Sequence, residues 1–164
     1  MSDSAGRIEL AENLLFGGTS GRRRADAVSA ARRPLTEWLI PMAKKILLVD
    51  DSSTALMMEK MILKKGGAYQ LITAVDGAEA VQKACDERPD LILMDMVMPK
   101  LDGVEACRQL RAREETRDIP IIMVTTRGEA EHAERAFGAG VCDFVTKPIN
   151  SLELLSKAKG YLGE

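Results

Sequence analysis

Four apolar runs of the sequence end at polar residues whose types could do chemistry together. Asp50 and Asp51 follow residues 46–49, Asp95 follows 91–94, Thr125 follows 121–124, and Lys147 follows 141–145 after one intervening residue. Three carboxylates held close together repel one another unless a cation lies among them. Carboxylate oxygens favour a hard ion such as Mg²⁺, whereas lysine and threonine suit the oxygens of a phosphoryl group. The set therefore predicts a metal-assisted site at which a carboxylate attacks phosphorus.

Such convergence requires strands that end at one edge of a sheet. Apolar runs at 46–49, 71–75, 91–95, 121–124 and 141–145 alternate with helical patterns, of which the first covers 53–65 and the fourth lies around 129–137. This alternation predicts an α/β fold, a doubly wound, flavodoxin-like sheet of five parallel strands with helices on both faces. In the strand order 2-1-3-4-5, strands 1, 3, 4 and 5 are neighbours, so their carboxyl ends form one pocket.

The first and last helical patterns each carry an apolar face that predicts burial. In the first helix this face comprises Ala55, Met58, Met61 and Ile62. In the last helix it comprises Leu152, Leu155, Ala158 and Leu162. Because methionine fills irregular gaps well, we interpret the methionine cluster of the first helix as core rather than as a groove for a partner.

Several short motifs together resemble the receiver domain of two-component response regulators. They are Asp50-Asp51, Asp95 with Met-Pro-Lys-Leu-Asp-Gly at 98–103, Val124-Thr125, and Asp-Phe-Val-Thr-Lys-Pro at 143–148. The motifs occur in the family's order, which makes the resemblance specific. It implies a receiver (phosphoacceptor) domain over residues 44–164 and a role in phosphorelay signalling rather than enzymatic turnover.

The resemblance implies a role for each acidic residue. Asp95 is the expected phosphoacceptor, which takes a phosphoryl group from a sensor histidine kinase or a phosphotransfer protein. Asp51, Asp95 and the backbone carbonyl of Val97 are the expected Mg²⁺ ligands, and Asp50 is expected to act on the metal through water.

The resemblance also implies how phosphorylation is sensed. Lys147 and Thr125 are expected to hold phosphoryl oxygens, and Phe144 is the expected switch aromatic that turns inward behind Thr125. The Lys147–Pro148 bond is expected to be cis. The fourth helix, fifth strand and fifth helix form the expected readout surface for a downstream protein, for onward phosphotransfer or for a phosphorylation-dependent dimer.

Two positions depart from the chemotaxis type of receiver. Val97, two residues after the acceptor, is apolar, and Arg127, two residues after Thr125, is basic. In the family these positions flank the water that hydrolyses the phosphoaspartate. Because an apolar group cannot orient that water, we expect a long-lived phosphoryl state.

Two other functions on similar sheets are open to the same residues. A phosphohydrolase of the haloacid-dehalogenase type also uses a strand-end aspartate, Mg²⁺, threonine and lysine. It needs a second aspartate two residues after the nucleophile, where this chain has Val97. A flavin-binding module would need a phosphate loop rich in serine, threonine and glycine after the first strand, which Asp50 and Asp51 do not provide.

Composition bounds the remaining possibilities. The 164 residues are 46% hydrophobic and 29% charged, with a net charge of −2. This balance gives no indication of direct nucleic-acid or membrane binding. The sequence shows neither a secretory signal nor an apolar stretch long enough to cross a membrane. We therefore expect a cytoplasmic protein with small, buried thiols.

Residues 1–43 differ from the rest of the chain. They contain a glycine-rich stretch at 17–21, the run Arg22-Arg23-Arg24, and only short apolar patches. This composition predicts a disordered N-terminal extension. Met42 could also be the natural start, with 1–41 an upstream over-read. With no effector domain after residue 164, the sequence predicts a single-domain regulator.

Overall fold

The computed structural model describes residues 42–126 and 132–164, and within these ranges five strands alternate with five helices. The strands are β1 (Lys45–Val49), β2 (Gln70–Ala74), β3 (Leu91–Asp95), β4 (Ile121–Thr125) and β5 (Asp143–Thr146). The helices are α1 (Ser53–Gly66), α2 (Gly77–Glu87), α3 (Gly103–Arg111), α4 (Ala133–Gly138) and α5 (Ser151–Leu162). The predictions for residues 1–41 and for Arg127 lie outside the described residues.

The five strands form one parallel sheet in the order β2-β1-β3-β4-β5, which confirms the predicted fold. The register aligns the carboxyl ends of the strands. Val49 lies opposite Met94, so Asp50 and Asp95, the residues that follow them, lie at the same level of the sheet edge. Thr125 pairs with Thr146 at the end of β4 and β5.

The core consists of two clusters, one on each face of the sheet. Along β1, Leu47 and Val49 belong to one cluster, while Ile46 and Leu48 belong to the other. The strands β3 and β4 are buried along their whole length. Each buried aliphatic side chain contributes ~1.5–3 kcal/mol. The chemistry-bearing residues therefore stand on a rigid, apolar support.

Polar caps begin four of the helices at the edge where the strands end. The side chains of Ser52, Asp76, Asp102 and Asn150 accept hydrogen bonds from backbone N–H groups in the first turns of α1, α2, α3 and α5. Such caps satisfy donors that have no partner within the helix. They fix each helix directly after a loop of the candidate site.

The predicted face of α1 is confirmed for Ile62 and wrong for Met58 and Met61. Met57, Met58 and Met61 are exposed, and the buried face comprises Leu56, Glu59, Ile62 and Leu63. Glu59 is carried into the interior together with Leu56 and Leu63, which share its helical face.

Smaller differences concern the last third of the chain. Leu152 is 80% exposed, and Leu154 takes its place in the core. The strand predicted from residue 141 begins at Asp143, and α4 begins at Ala133, with 127–131 outside the described residues. Among the thiols only Cys107 is buried, since Cys85 is half-buried and Cys142 exposed. No helix in the described ranges is long and apolar enough to span a membrane.

Candidate phosphoacceptor site

Three acidic side chains meet at the carboxyl edge of the sheet. One carboxylate oxygen from each of Asp50, Asp51 and Asp95 lies within 4.8 Å of the other two. Asp50 and Asp95 are buried, whereas Asp51 is exposed. The parallel pairing of β1 with β3 produces this cluster, because Asp50 follows Val49 and Asp95 follows its partner Met94. The cluster is thus open to solvent on the Asp51 side.

Lys147 reaches the same cluster from the end of β5. Its Nζ donates a hydrogen bond to Oδ2 of Asp50 at 2.9 Å and lies 3.4 Å from Oδ1 of Asp95. Burial alone would lower the pKa of Lys147, but the hydrogen bond to Asp50 and the charge of Asp95 outweigh it and raise that pKa. The ammonium therefore stays charged and bridges two carboxylates.

The two buried aspartates differ in their surroundings. Asp50 accepts the backbone N–H of Ser52 at Oδ1 over 2.8 Å, so both of its oxygens have partners. Burial, followed by repulsion from Asp50, raises the pKa of Asp95 to about 6. At neutral pH Asp95 is still ionised, which leaves it a nucleophile.

Thr125 lies beside Lys147 across the ends of β4 and β5. The backbone N–H of Lys147 donates to the carbonyl of Thr125 at 2.7 Å. Both residues line a cleft of about 500 Å³, together with Thr126, Thr146, Pro148, Asn150 and Glu153. This arrangement places a hydroxyl and an ammonium on one wall, next to the acidic cluster. The Lys147–Pro148 peptide is cis, as predicted.

Phe144 and Val97 lie at the margins of the site. Phe144, on β5 opposite Met123, is partly buried against the core and contacts Phe137 edge-to-face, with ring centroids 4.8 Å apart. Val97 lies in the loop after β3 and is 60% exposed. An apolar side chain therefore stands in solvent two residues after Asp95.

Gly103 allows the first turn of α3 to lie against the backbone of Asp95. A Cβ at this position would collide with the Asp95 carbonyl oxygen and would lie 2.9 Å from the sulfur of Met123. The N–H of Gly103 donates to the carbonyl of Met96 at 3.0 Å. The backbone of Asp95 is thus enclosed between the sheet and α3.

Glu59 is a titratable group near the site that the sequence analysis missed. It is 1% exposed, and its Oε2 has no hydrogen-bond partner. Burial, followed by the charge of Asp50, raises the pKa of Glu59 to about 8, whereas Lys147 opposes this shift. The signal was present in the sequence, because position 59 shares a helical face with Leu56 and Leu63.

The donor set of the cluster fits a hard divalent cation. Its three side chains offer only carboxylate oxygens, held within 4.8 Å of one another, which suits Mg²⁺. Two of the three carry little solvent exposure, so their mutual repulsion favours occupation by a cation. The acidic triad is therefore of the kind that binds Mg²⁺.

Comparison with known families identifies a match over most of the described sequence. The profile of the family described as "Response regulator receiver domain" matches residues 46–159. Among curated proteins, the alkaline phosphatase synthesis transcriptional regulatory protein PhoP of Bacillus subtilis is 40% identical over 121 residues, which cover 74% of this chain and 49% of PhoP. The chain thus spans about half the length of the curated relatives it matches.

Two solved structures match this chain over nearly the whole of their own length. The receiver domain of sensor histidine kinase PA1611 from Pseudomonas aeruginosa, with a magnesium ion in its active-site cleft, is 34% identical, with a TM-score of 0.69. The match covers 74% of this chain and 99% of that one. The chemotaxis protein CheY4 of Vibrio cholerae is 33% identical with a TM-score of 0.68, over 73% of this chain and 98% of its own.

Proposed function

Because the chain belongs to the response regulator receiver domain family, we propose that Asp95 accepts a phosphoryl group from a phosphohistidine of a sensor kinase or phosphotransfer protein. The observation that carries the proposal is the bridge formed by Lys147, whose ammonium contacts Asp50 at 2.9 Å and Asp95 at 3.4 Å. A buried, ionised carboxylate is thereby held beside a fixed cation. Attack on phosphorus requires this combination, since the cation compensates the negative charge of the incoming group.

The proposed step transfers one phosphoryl group between two side chains. A carboxylate oxygen of Asp95 forms the new bond to phosphorus as the bond to the histidine nitrogen breaks. The electron pair of that bond stays on the imidazole, which takes a proton from solvent. Lys147 and the hydroxyl of Thr125 hold the phosphoryl oxygens from the wall of the cleft that both residues line.

Mg²⁺ would be held by Asp51, Asp95 and the carbonyl of Val97, with Asp50 acting through water. When bound, the ion neutralises charge on the phosphoryl oxygens. Asp51 is the exposed member of the cluster and so offers the ion a route from solvent. Asp50 already accepts the N–H of Ser52 at Oδ1, which suits an indirect role.

Phosphorylation would be read on the surface formed by α4, β5 and α5. Thr125 moves toward the phosphoryl group, and Phe144 turns inward behind it. Phe144 now packs edge-to-face against Phe137, which is 53% exposed, so a movement of Phe144 changes what α4 presents to solvent. The downstream target is a protein that binds this surface or a second copy of the chain.

We further propose that the phosphoryl state is long-lived. The side chain of Val97 is apolar and exposed beside the acceptor, so it cannot orient a water for attack on phosphorus. The same residue argues against the haloacid-dehalogenase alternative, which would need an aspartate there as general acid. The family to which the chain belongs is one of phosphoacceptor switches rather than of catalytic enzymes.

The proposal is tested with a phosphoryl mimic. Beryllofluoride with Mg²⁺ is added to the wild type and to Asp95→Asn, and amide chemical shifts are recorded by NMR. We expect shifts in α4, β5 and α5 of the wild type and none in the variant. An identical response from Asp95→Asn would show that Asp95 is not the acceptor. Asp118→Asn, an exposed aspartate outside the site, is the matched control and should respond as the wild type does.

A further inference from the structure

Glu59 is a buried carboxyl group that stands outside the acidic cluster. It lies on the buried face of α1 and is 1% exposed. Among the described residues, its Oε2 is the one buried side-chain polar atom without a hydrogen-bond partner. It is not among the three carboxylates whose oxygens lie within 4.8 Å of one another. Glu59 is therefore an outer neighbour of the site and not a direct ligand.

The packing of α1 gives no reason for an acid at this position. Glu59 shares its face with Leu56, Ile62 and Leu63, which belong to the core cluster on that side of the sheet. A buried polar atom without a partner opposes folding, and an apolar residue of similar volume would avoid that cost. Positions that break a folding rule in this way tend to serve function.

The charged groups near Glu59 are those of the site itself. Val145, two residues before Lys147, lies in the same core cluster as Leu56 and Leu63 of this helix face, and the charges of Asp50, Lys147 and Asp95 all act on the pKa of Glu59. Lys147 has three N–H donors, and its ammonium contacts two carboxylates, those of Asp50 and Asp95. A divalent cation in the cluster would compete with this ammonium for the same oxygens and would repel it.

We propose that Glu59 is a positioning residue for the divalent-cation site. Before a phosphoryl group arrives, its unpartnered oxygen accepts a hydrogen bond from the ammonium of Lys147 when a cation occupies the cluster of Asp50, Asp51 and Asp95, and so tightens cation binding; the ammonium returns to the phosphoryl oxygens once these are present. The inference rests on the proposed Mg²⁺ site. It explains why the fold keeps an acid where its own packing favours an apolar residue.

The test is a calorimetric titration of the full chain with MgCl₂, together with urea unfolding in EDTA. We expect Glu59→Leu to bind Mg²⁺ about tenfold more weakly, as is typical when an outer partner of a metal site is lost. Glu59→Gln, which keeps an acceptor but not the charge, should fall between Glu59→Leu and the wild type. The unfolding free energy of metal-free Glu59→Leu should equal or exceed that of the wild type. A merely structural role would instead lower stability and leave the affinity unchanged.

Two matched variants control for packing and for surface charge. Leu63→Met alters the same buried face without a charge, and Glu105→Gln removes an acid from α3 outside the cluster. Both should bind Mg²⁺ as the wild type does. Wild-type affinity in Glu59→Leu overturns the inference, and if that variant does not fold, wild-type affinity in Glu59→Gln does so.

Asp51→Asn separates this inference from the proposed cation site. If the wild type binds no Mg²⁺, or if Asp51→Asn binds it equally well, the cation site itself is wrong. If Asp51→Asn weakens binding and the decisive Glu59 variant does not, only the role of Glu59 is wrong.

Discussion

The ammonium nitrogen of Lys147 lies 3.4 Å from Oδ1 of Asp95 and so joins the residue after β5 to the last residue of β3. The two strands are not neighbours, because β4 lies between them. The side chain of Lys147 thus crosses the end of β4 and contacts the carboxylate of Asp95. A change in the charge of Asp95 or in the position of Lys147 therefore affects both β3 and β5, the strands on either side of β4.

Removal of Lys147 should raise the pKa of Asp95 further. That pKa is about 6 because burial and Asp50 raise it while Lys147 lowers it. In Lys147→Met the opposing cation is lost, so Asp95 should titrate closer to neutral pH. Carboxyl ¹³C NMR measures this titration in EDTA. Lys64→Met, an exposed lysine of α1, is the control, and an unchanged Asp95 pKa in Lys147→Met would contradict the geometry.

Metal-free protein should lose stability as the pH rises from about 5 to 8. The pKa of Glu59 is raised from 4.5 to about 8, so the folded state holds a proton that the unfolded state releases in this range. Each unit of pKa difference is worth ~1.4 kcal/mol. Urea unfolding in EDTA at several pH values measures the slope.

Glu59→Gln should flatten that slope without abolishing it. The raised pKa of Asp95 has the same sign, but its contribution ends near pH 6, close to the pKa of about 6 in the folded state. The pKa values of Asp76 and Glu79 are lowered, so these groups change the unfolding free energy at pH values below their ordinary pKa values, outside this window. A slope in Glu59→Gln equal to that of the wild type would show that Glu59 is not the titrating group.

Gly103→Ala should destabilise the domain by ~1–3 kcal/mol, as overpacking of a close contact does. The added Cβ would collide with the carbonyl oxygen of Asp95 and press on Met123. Gly160→Ala is the matched control, since a Cβ in that part of α5 meets nothing within 4 Å. It should be neutral or slightly stabilising. Equal unfolding free energies for the two variants would be inconsistent with the observed packing.

Val97→Asn should shorten the lifetime of the phosphoryl group roughly tenfold, which corresponds to ~1.4 kcal/mol of barrier. A polar group beside the acceptor can orient a water, whereas valine cannot. Decay of ³²P-labelled protein in Mg²⁺ without phosphatase gives the rate. Val75→Asn, which changes another exposed valine, should leave the lifetime unaltered. Loss of the phosphoryl group from the wild type within minutes would contradict the proposed long lifetime of the phosphoryl state.

A chain that begins at Met42 should keep the unfolding free energy and the Mg²⁺ affinity of the full chain. Residues Met42–Glu164 form a compact unit that contains both core clusters and the whole candidate site. Urea unfolding and calorimetry on both lengths test this. A loss of more than about 1 kcal/mol on truncation, well above the usual effect of surface changes, would place part of the core before residue 42.

The place where the candidate residues meet could be predicted because they stand at strand ends. Aliphatic runs such as 91–94 predict buried strands, and the residue after each run must then lie at the sheet edge. The contact of Lys147 with Asp95 follows from strand order, and the family motifs supply that order. Val97 could be located in the same way, because it lies two residues after Asp95 in the sequence.

The rotation of α1 was harder to predict, because the sequence offers two competing apolar faces. A hydrophobic pattern assumes that acids stay in solvent, and Glu59 breaks this assumption because it lies among Leu56, Ile62 and Leu63. Because methionine is apolar, Met58 and Met61 predicted burial of a competing face that is exposed in the structure. The face that is buried was decided by packing against β1 and α5, which a single helix does not encode.

The sheet order has one more consequence, for where a signal can leave the domain. β5 is an edge strand that pairs only with β4, whereas β3, which bears Asp95, is held from both sides. Strands with one neighbour are the least costly to rearrange. The proposed chemistry would therefore take place on a strand that is held on both sides, whereas Phe144 and Lys147, which we propose to respond to it, lie on the edge strand β5 and directly after it. The proposed receipt and transmission of the signal would thus be divided between a central strand and an edge strand of one five-stranded sheet.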